Sequence, residues 1–276
     1  MQAFQRLGRT VAMTGDGAND APAIRLADIG IAFGTRATPA ARAAADLVVT
    51  DDRLETVLAA LVEGRAMWAS VRQALAILVG GNLGEIAFTL LGAATTGSSP
   101  LTARQLLLVN LFTDLAPAIA VALRPPHPEA AERMLHEGPE VSLGTALTEE
   151  TVCRAVATTL GATAGWLAAR FTGRAARART VALVALVAAQ LGQTLLAGGR
   201  SWAIVGSALG SIAALAAVVQ TPVLSQFFGC TPLGPAAWGI ALSAAAGATV
   251  ASLFLPALIG RARTMAAHQR PVAATP

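Results

Sequence analysis

The sequence predicts a mainly α membrane protein, a bundle of six transmembrane helices preceded by a partial α/β unit. Three observations predict it. Of 276 residues, 54% are hydrophobic and only 13% are charged, and the mean hydropathy is +0.59; an ordinary soluble domain carries about 25% charged residues. From Val71 onward the apolar residues gather into segments near the ~20 residues that a helix needs to cross the hydrocarbon core. Before that point the apolar runs are short and end at glycine-rich turns, as buried strands do.

In chain order, residues 1–66 read as soluble α/β. Val11-Ala12-Met13 is a buried-strand candidate that runs into Gly15-Asp16-Gly17. Asp20 is placed to cap a short helix opened by Ala21-Pro22, since proline is tolerated in a first turn. Ile29–Ala32 and Leu47–Val49 are further strand candidates. Asp52-Arg53-Leu54-Glu55 has the form of a capping box, followed by Leu54, Val57, Leu58 and Leu61 on one helix face. Three short strands make half a sheet, so the segment reads as part of a larger domain. Residues 67–276 then form the membrane domain, with spans expected at about 71–96, 101–123, 152–170, 180–197, 202–221 and 236–259. A polar, proline-rich stretch from Arg124 to Glu150 separates the second from the third, and Thr148-Glu149-Glu150 supplies a cap and an acidic first turn.

Charge and cysteine usage narrow the partners. All 20 basic residues are arginine, there is no lysine or tyrosine, and the net charge is only +4. With few aromatics and no basic helix face, nucleic acid is excluded as a partner, and arginine flanking spans points to the lipid bilayer instead. Cys153 and Cys230 show neither disulfide nor zinc spacing. Met1–Arg9 is too polar for a secretory signal.

Two regions carry chemistry. In TVAMTGDGANDAP, Thr10–Pro22, Gly15 and Gly17 allow a sharp turn and close approach to a ligand. Asp16 at a strand end is a hard oxygen ligand of the kind Mg²⁺ takes, and Asn19 and Asp20 can hold that site or a phosphate at a helix start. As an isolated Gly-Asp-Gly, the string is equally a set of turn formers. Within the apolar spans, Asn82 and Glu85 share a face at i, i+3, as do Asn110, Thr113 and Asp114 in the second span. A charge near the bilayer centre costs roughly 2.5–3.5 kcal/mol, so such acids are candidates for an ion path. Pro117 has no N–H and deprives the Thr113 carbonyl of its helix partner, freeing another oxygen for a cation. The set is all oxygen, which suits a hard cation. The alternative is that Glu85 and Asp114 are paired structural residues.

The longer string TGDGANDAPAIRLADIGIAFG resembles the second magnesium-site motif of the haloacid-dehalogenase-like (HAD-like, Rossmannoid) phosphorylation domain of P-type cation-transporting ATPases. NLGEI and QLLLVNLFTDLAPAIAVALRPP look like the fifth and sixth spans of the type II group, the calcium and sodium pumps. The resemblance covers nearly the whole chain, with the last four spans matching in number and loop layout. It implies that Asp16 is the Mg²⁺ carboxylate, with Thr14, Gly15 and Gly17 around the cofactor, and that Asn19 and Asp20 organise the phosphorylated site. It implies Asn82, Glu85, Asn110, Thr113 and Asp114 as ligands of the transported cation. Gln190 falls where two-site calcium pumps carry glutamate; a helix–helix hydrogen bond is an equal alternative for it, and Gln193 has no better claim.

The resemblance also implies ATP with Mg²⁺ as cofactor, a bacterial plasma membrane location, and residues 1–66 and the C-terminus on the cytoplasmic side. Arg124, Arg133, Arg200, Arg261, Arg263 and Arg270 then lie inside, as the positive-inside tendency asks, whereas Arg170, Arg174, Arg177 and Arg179 face outward against it. The family's phospho-acceptor string Asp-Lys-Thr-Gly-Thr, its Thr-Gly-Glu loop, its nucleotide domain and its fourth span are missing. The chain therefore reads as the C-terminal half of a cation pump, inactive alone, whose partner is the N-terminal half. The competing readings are a non-catalytic membrane remnant or regulatory partner built on the six-helix bundle, and a membrane-anchored phosphatase. The last lacks its Asp-x-Asp nucleophile motif.

Overall fold

The computed structural model describes residues 1–51, 53–122, 144–198 and 201–268. Asp52, Arg124, Arg133, Arg200 and Arg270, and with them the Asp52 capping box and most of the proline-rich stretch, lie outside the described residues. The chain divides into two compact units, Met1–Ala66 and Met67–Pro276.

The first unit is a three-stranded parallel sheet in the order β1 (Ala12–Gly15), β2 (Ile29–Phe33), β3 (Leu47–Val49). Thr14 pairs with Ile31, and Ala32 with Val48. Helices α1 (Gln2–Arg6), α2 (Ala21–Leu26) and α3 (Pro39–Ala44) precede β1 and form the two crossovers. The central strand is the buried one. β1 lies at the edge of the sheet and is half exposed rather than buried, and it runs on to Gly15. Ile24, Ala32, Ala37 and Ala41 make a small core with Met13 packed against it. Thr38 caps α3 by accepting a hydrogen bond from the Ala41 amide at 3.3 Å, and Pro39 pre-sets the first turn.

The cap expected of Asp20 is not made. Asp20 occupies the position before α2, but its carboxylate turns back to the Gly17 amide. Asp51 anchors the last segment of the unit, accepting hydrogen bonds from the Thr56 hydroxyl at 2.7 Å and the Arg53 amide at 3.3 Å.

The second unit is helical. α4 (Leu54–Thr96) starts well before the expected span, because nothing between Leu54 and Val71 breaks a helix. The unit boundary falls within it. The second expected span is interrupted: α5 (Ala103–Asn110) passes through a π-helical turn (Leu111–Leu115) into α6 (Ala116–Ala122). α5 opens with a capping box in which Thr102 accepts from the Gln105 amide and the Gln105 side chain accepts from the Thr102 amide. Then follow α7 (Thr145–Thr172), α8 (Ala175–Gly198), α9 (Trp202–Gln220), the short α10 (Pro222–Phe228) and α11 (Pro235–His268). α7 begins at Thr145, so Thr148 lies inside its first turn instead of capping it. The Thr148 hydroxyl donates to the Gly144 carbonyl.

Among the described residues, five helices are long and apolar enough to cross a membrane, against the six expected: α4, α5–α6, α8, α9 and α11. α7 is not one of them. Its 28 residues include Glu149, Glu150, Arg154 and Arg170 and are rich in alanine and threonine. It is nonetheless packed closely with α8 and α11.

α8 is the centre of this unit, with Val181–Val187 fully buried. Small residues let the backbones approach, as at Gly165 of α7, where an added methyl would lie 2.9 Å from the Ala185 methyl. Leu83, Ile86 and Leu90 of α4, Leu209 of α9, and Leu253 and Phe254 of α11 face outward, the arrangement a lipid solvent requires.

Candidate functional site

In the first unit, the turn after β1 is held by its own acid. Asp20 accepts from the Gly17 amide at 3.0 Å. A methyl on Gly15 would lie 2.6 Å from the Asp20 Cβ and 2.9 Å from its carboxylate oxygen, so only glycine permits this approach. The Asp16 carbonyl accepts from the Thr38 amide at 2.8 Å, tying the turn to the start of α3. Asp16 and Asn19 are exposed, and the Asp16 side chain takes no hydrogen bond or ion pair among the described residues.

Asp16 is thus an open carboxylate at the carboxyl end of a parallel strand, while Asp20 is committed to holding the turn. Mg²⁺ commonly takes one or two carboxylates and completes its shell with water and phosphate oxygens. The Asp16 position fits that requirement. Among the described residues no group of three or more His, Cys, Asp or Glu side chains could hold a metal ion, so this is one ligand and not a cage.

In the second unit, Glu85 of α4 is 5% exposed. It accepts a hydrogen bond from the Gln190 amide nitrogen of α8 at 3.1 Å, and the same nitrogen lies 3.5 Å from the Gly81 carbonyl. Gly81 forms the notch for that amide, since a methyl there would stand 3.1 Å from the Gln190 oxygen. The helix–helix hydrogen bond considered for Gln190 is therefore present, and it is made to the acid itself. One turn on, Gln193 donates to the Thr158 hydroxyl of α7 at 3.2 Å, and Thr159 donates to the Gly84 carbonyl at 3.2 Å.

The π-turn carries the other acid. Thr113 is buried and donates to the Val109 carbonyl at 2.9 Å, with the Asp114 carboxylate 3.2 Å from the same hydroxyl. Asp114 is half-buried. A π-turn is rare and widens the helix where it occurs, which here is the stretch just ahead of the buried Pro117.

The structure thus brings Glu85 to Gln190 and Thr113 to Asp114. Asn82 is half-buried, Asn110 is exposed, and neither side chain makes a hydrogen bond among the described residues. Sequence reasoning did not anticipate the Gly81 notch, the Thr158 partner or the π-turn. The run Gly80-Gly81 with Gly84 was the available signal for the first two, and Pro117 for the third.

Two carboxylates, each beside an amide or hydroxyl group, inside helices that are lipid-compatible outside define a membrane helix bundle with polar, oxygen-bearing positions. The chain belongs to the family described as cation transporting ATPase, C-terminus, which matches residues 98–257, and it is a C-terminal part of a P-type cation-transporting ATPase. It is 48% identical over 279 residues to the probable cation-transporting ATPase I of Mycobacterium leprae (strain TN), covering 94% of this chain and 17% of that protein. It is 51% identical over 273 residues to the protein of the same description in Mycobacterium tuberculosis (strain CDC 1551 / Oshkosh), covering 92% and 17%. With the calcium-transporting ATPase of Bacillus subtilis (strain 168) it shares 31% over 258 residues, covering 89% and 29%. The chain spans 17% of the length of the two mycobacterial relatives.

Proposed function

We propose that the chain supplies the ion-carrying helices, and one part of the phosphorylation site, of an ATP-driven pump for a hard cation. The observation that carries this reading is a buried Glu85 held by Gln190 together with a second acid, Asp114, on a π-turn. A buried carboxylate costs several kcal/mol unless it is compensated, and one amide donor from Gln190 compensates only part of that cost. A cation between the two acids supplies the rest. Gln190 is then a positioning group that holds Glu85, with its carbonyl oxygen available to the shell. Asn82 and Asn110 complete the ligand set when further helices of the whole pump cover the face that exposes Asn110. The oxygen-only set favours ions such as Ca²⁺, Mg²⁺ or Mn²⁺ over thiol-seeking metals.

The parallel sheet with Asp16 at its carboxyl edge is read as a fragment of a HAD-like phosphorylation domain. Bound Mg²⁺ would neutralise charge on the phosphoryl group there. Asp16 would hold the ion, Asp20 keeps the turn in shape through Gly17, and Asn19 would help to organise the phosphorylated site. In the membrane unit, α7 joins the five apolar helices as a sixth span: 28 residues reach about 42 Å at ~1.5 Å per residue, enough to cross while its polar residues face the bundle. With the first unit in the cytoplasm of a bacterial cell, six spans return the C-terminus to that side.

Phosphoryl transfer rests on positioning and electrostatics, so this chain alone is inactive and acts with the N-terminal half. The test is phosphoenzyme formation by the complete pump. Cation-dependent acyl-phosphate is expected from the unmodified pump, and its dependence on the cation is lost in Asp114→Asn. Unchanged cation dependence in that variant would remove the site from Asp114.

A further inference from the structure

A second polar feature lies apart from the two acids, where α7 begins and α8 ends. A cavity of about 370 Å³ opens there between α7, α8 and α11, and Arg154 lines it. Arg154 is 7% exposed. One guanidinium nitrogen, Nη2, lies 3.8 Å from the Glu150 carboxylate, while its Nε–H has no partner among the described residues. The base of the side chain is fixed against Gly80, where an added methyl would stand 2.8 Å from the Arg154 Cβ. A buried guanidinium whose one ion pair is as long as 3.8 Å is under-satisfied, so its terminal nitrogens call for an acceptor from the cavity.

The opposite wall calls for a donor. Pro256 sits inside α11 and has no N–H, which leaves the Ser252 carbonyl without its helical partner. Both residues line the cavity, as do the carboxylates of Glu149 and Glu150. At the rim, Leu196 and Leu253 are 47% and 58% exposed. Leu196 lies in the last turn of α8, so with α7 and α8 both crossing the ~30 Å hydrocarbon core the cavity would sit near headgroup depth.

One ligand chemistry meets all of these requirements. A phosphate diester supplies the acceptor for Arg154, a primary ammonium supplies N–H donors to the Ser252 carbonyl and Glu150, and acyl chains leave past Leu196 and Leu253. A purely anionic headgroup leaves the Ser252 carbonyl without a donor, and a quaternary ammonium has no N–H to give. We propose that this cavity binds the headgroup of a bilayer phospholipid bearing a primary amine, between α7, α8 and α11. The site rests on the reading of α7 as a sixth span but not on the cation assignment.

The test is native mass spectrometry of the full 276-residue chain in detergent. The probes are phosphatidylethanolamine, phosphatidylglycerol and phosphatidylcholine of matched acyl chains, and soluble glycerophosphoethanolamine. The unmodified chain is expected to retain phosphatidylethanolamine about tenfold over the other two lipids, the size of one lost charged hydrogen bond, and to bind the soluble headgroup weakly. Arg154→Gln removes the phosphate donor. Pro256→Ala returns an N–H to the Ser252 carbonyl and cannot weaken the helix. A reduced preference in either variant, with helix content unchanged by circular dichroism, supports the site. The proposal is overturned by no preference among the lipids in the unmodified chain, by a preference that neither variant reduces, or by glycerophosphoethanolamine binding as tightly as the lipid.

Discussion

Replacing Gln190 with leucine tests the bond that organises the membrane site. The substitution keeps the volume roughly constant and removes the 3.1 Å donor to Glu85. A hydrogen bond to a charged group contributes about 1.5–3 kcal/mol, and the acid left behind is buried. For a unit of this size, about 2–4 °C of melting temperature accompanies each kcal/mol. The cation-free protein should therefore melt about 3–12 °C lower by those figures. A bound cation takes over the role of the amide, so saturating Ca²⁺ or Mn²⁺ should recover most of that loss. The assay is a thermal melt in detergent with and without cation. Gln193→Leu serves as the control, because its bond to the Thr158 hydroxyl joins two neutral groups and contributes only about 0.5–1.5 kcal/mol. A Gln190→Leu protein that melts within 1 °C of the unmodified one would refute the reasoning.

The converse substitution, Gln190→Glu, sets a second carboxylate against Glu85. At ~4 Å and an effective dielectric of ~20 the repulsion is about 4 kcal/mol, so the melting-temperature gain on adding a divalent cation should grow. In the first unit, Gly15→Ala forces a methyl to 2.6 Å from the Asp20 Cβ; about 1–3 kcal/mol of stability should be lost on denaturant unfolding, as in overpacked sites. Thr102→Ala removes the α5 capping box and should cost about 0.5–2 kcal/mol, read as a lower melting temperature with unchanged cation response. The chain incubated alone with Mg-ATP should yield no acid-stable, hydroxylamine-sensitive phosphoprotein.

Much of this was legible from local patterns. The strands stand close to where the apolar runs meet glycine turns, because a buried run ending in Gly-Asp-Gly has few other options. The apolar helices were legible from length alone. What escaped depends on contacts remote in sequence or on small energy differences between local alternatives. Gln190 and Glu85 are 105 residues apart, so their bond depends on how α4 and α8 are rotated, which Gly81 decides. Asp20 could cap α2 or hold Gly17; the close approach allowed by Gly15 selects the second. The π-turn has no composition of its own, and only Pro117 marks it. α7 does not read as apolar because it carries charged residues, such as Arg154 near Glu150 and Arg170 over the Trp166 ring at 5.0 Å.

The most direct measurement is tracer cation uptake by proteoliposomes holding the complete pump, compared with Glu85→Gln and Asp114→Asn. If these helices carry the ion, ATP-driven uptake falls to background in at least one variant, while an Asn110-independent control such as Thr102→Ala still transports. Full uptake in both acid variants would contradict the assignment of this bundle as the cation path.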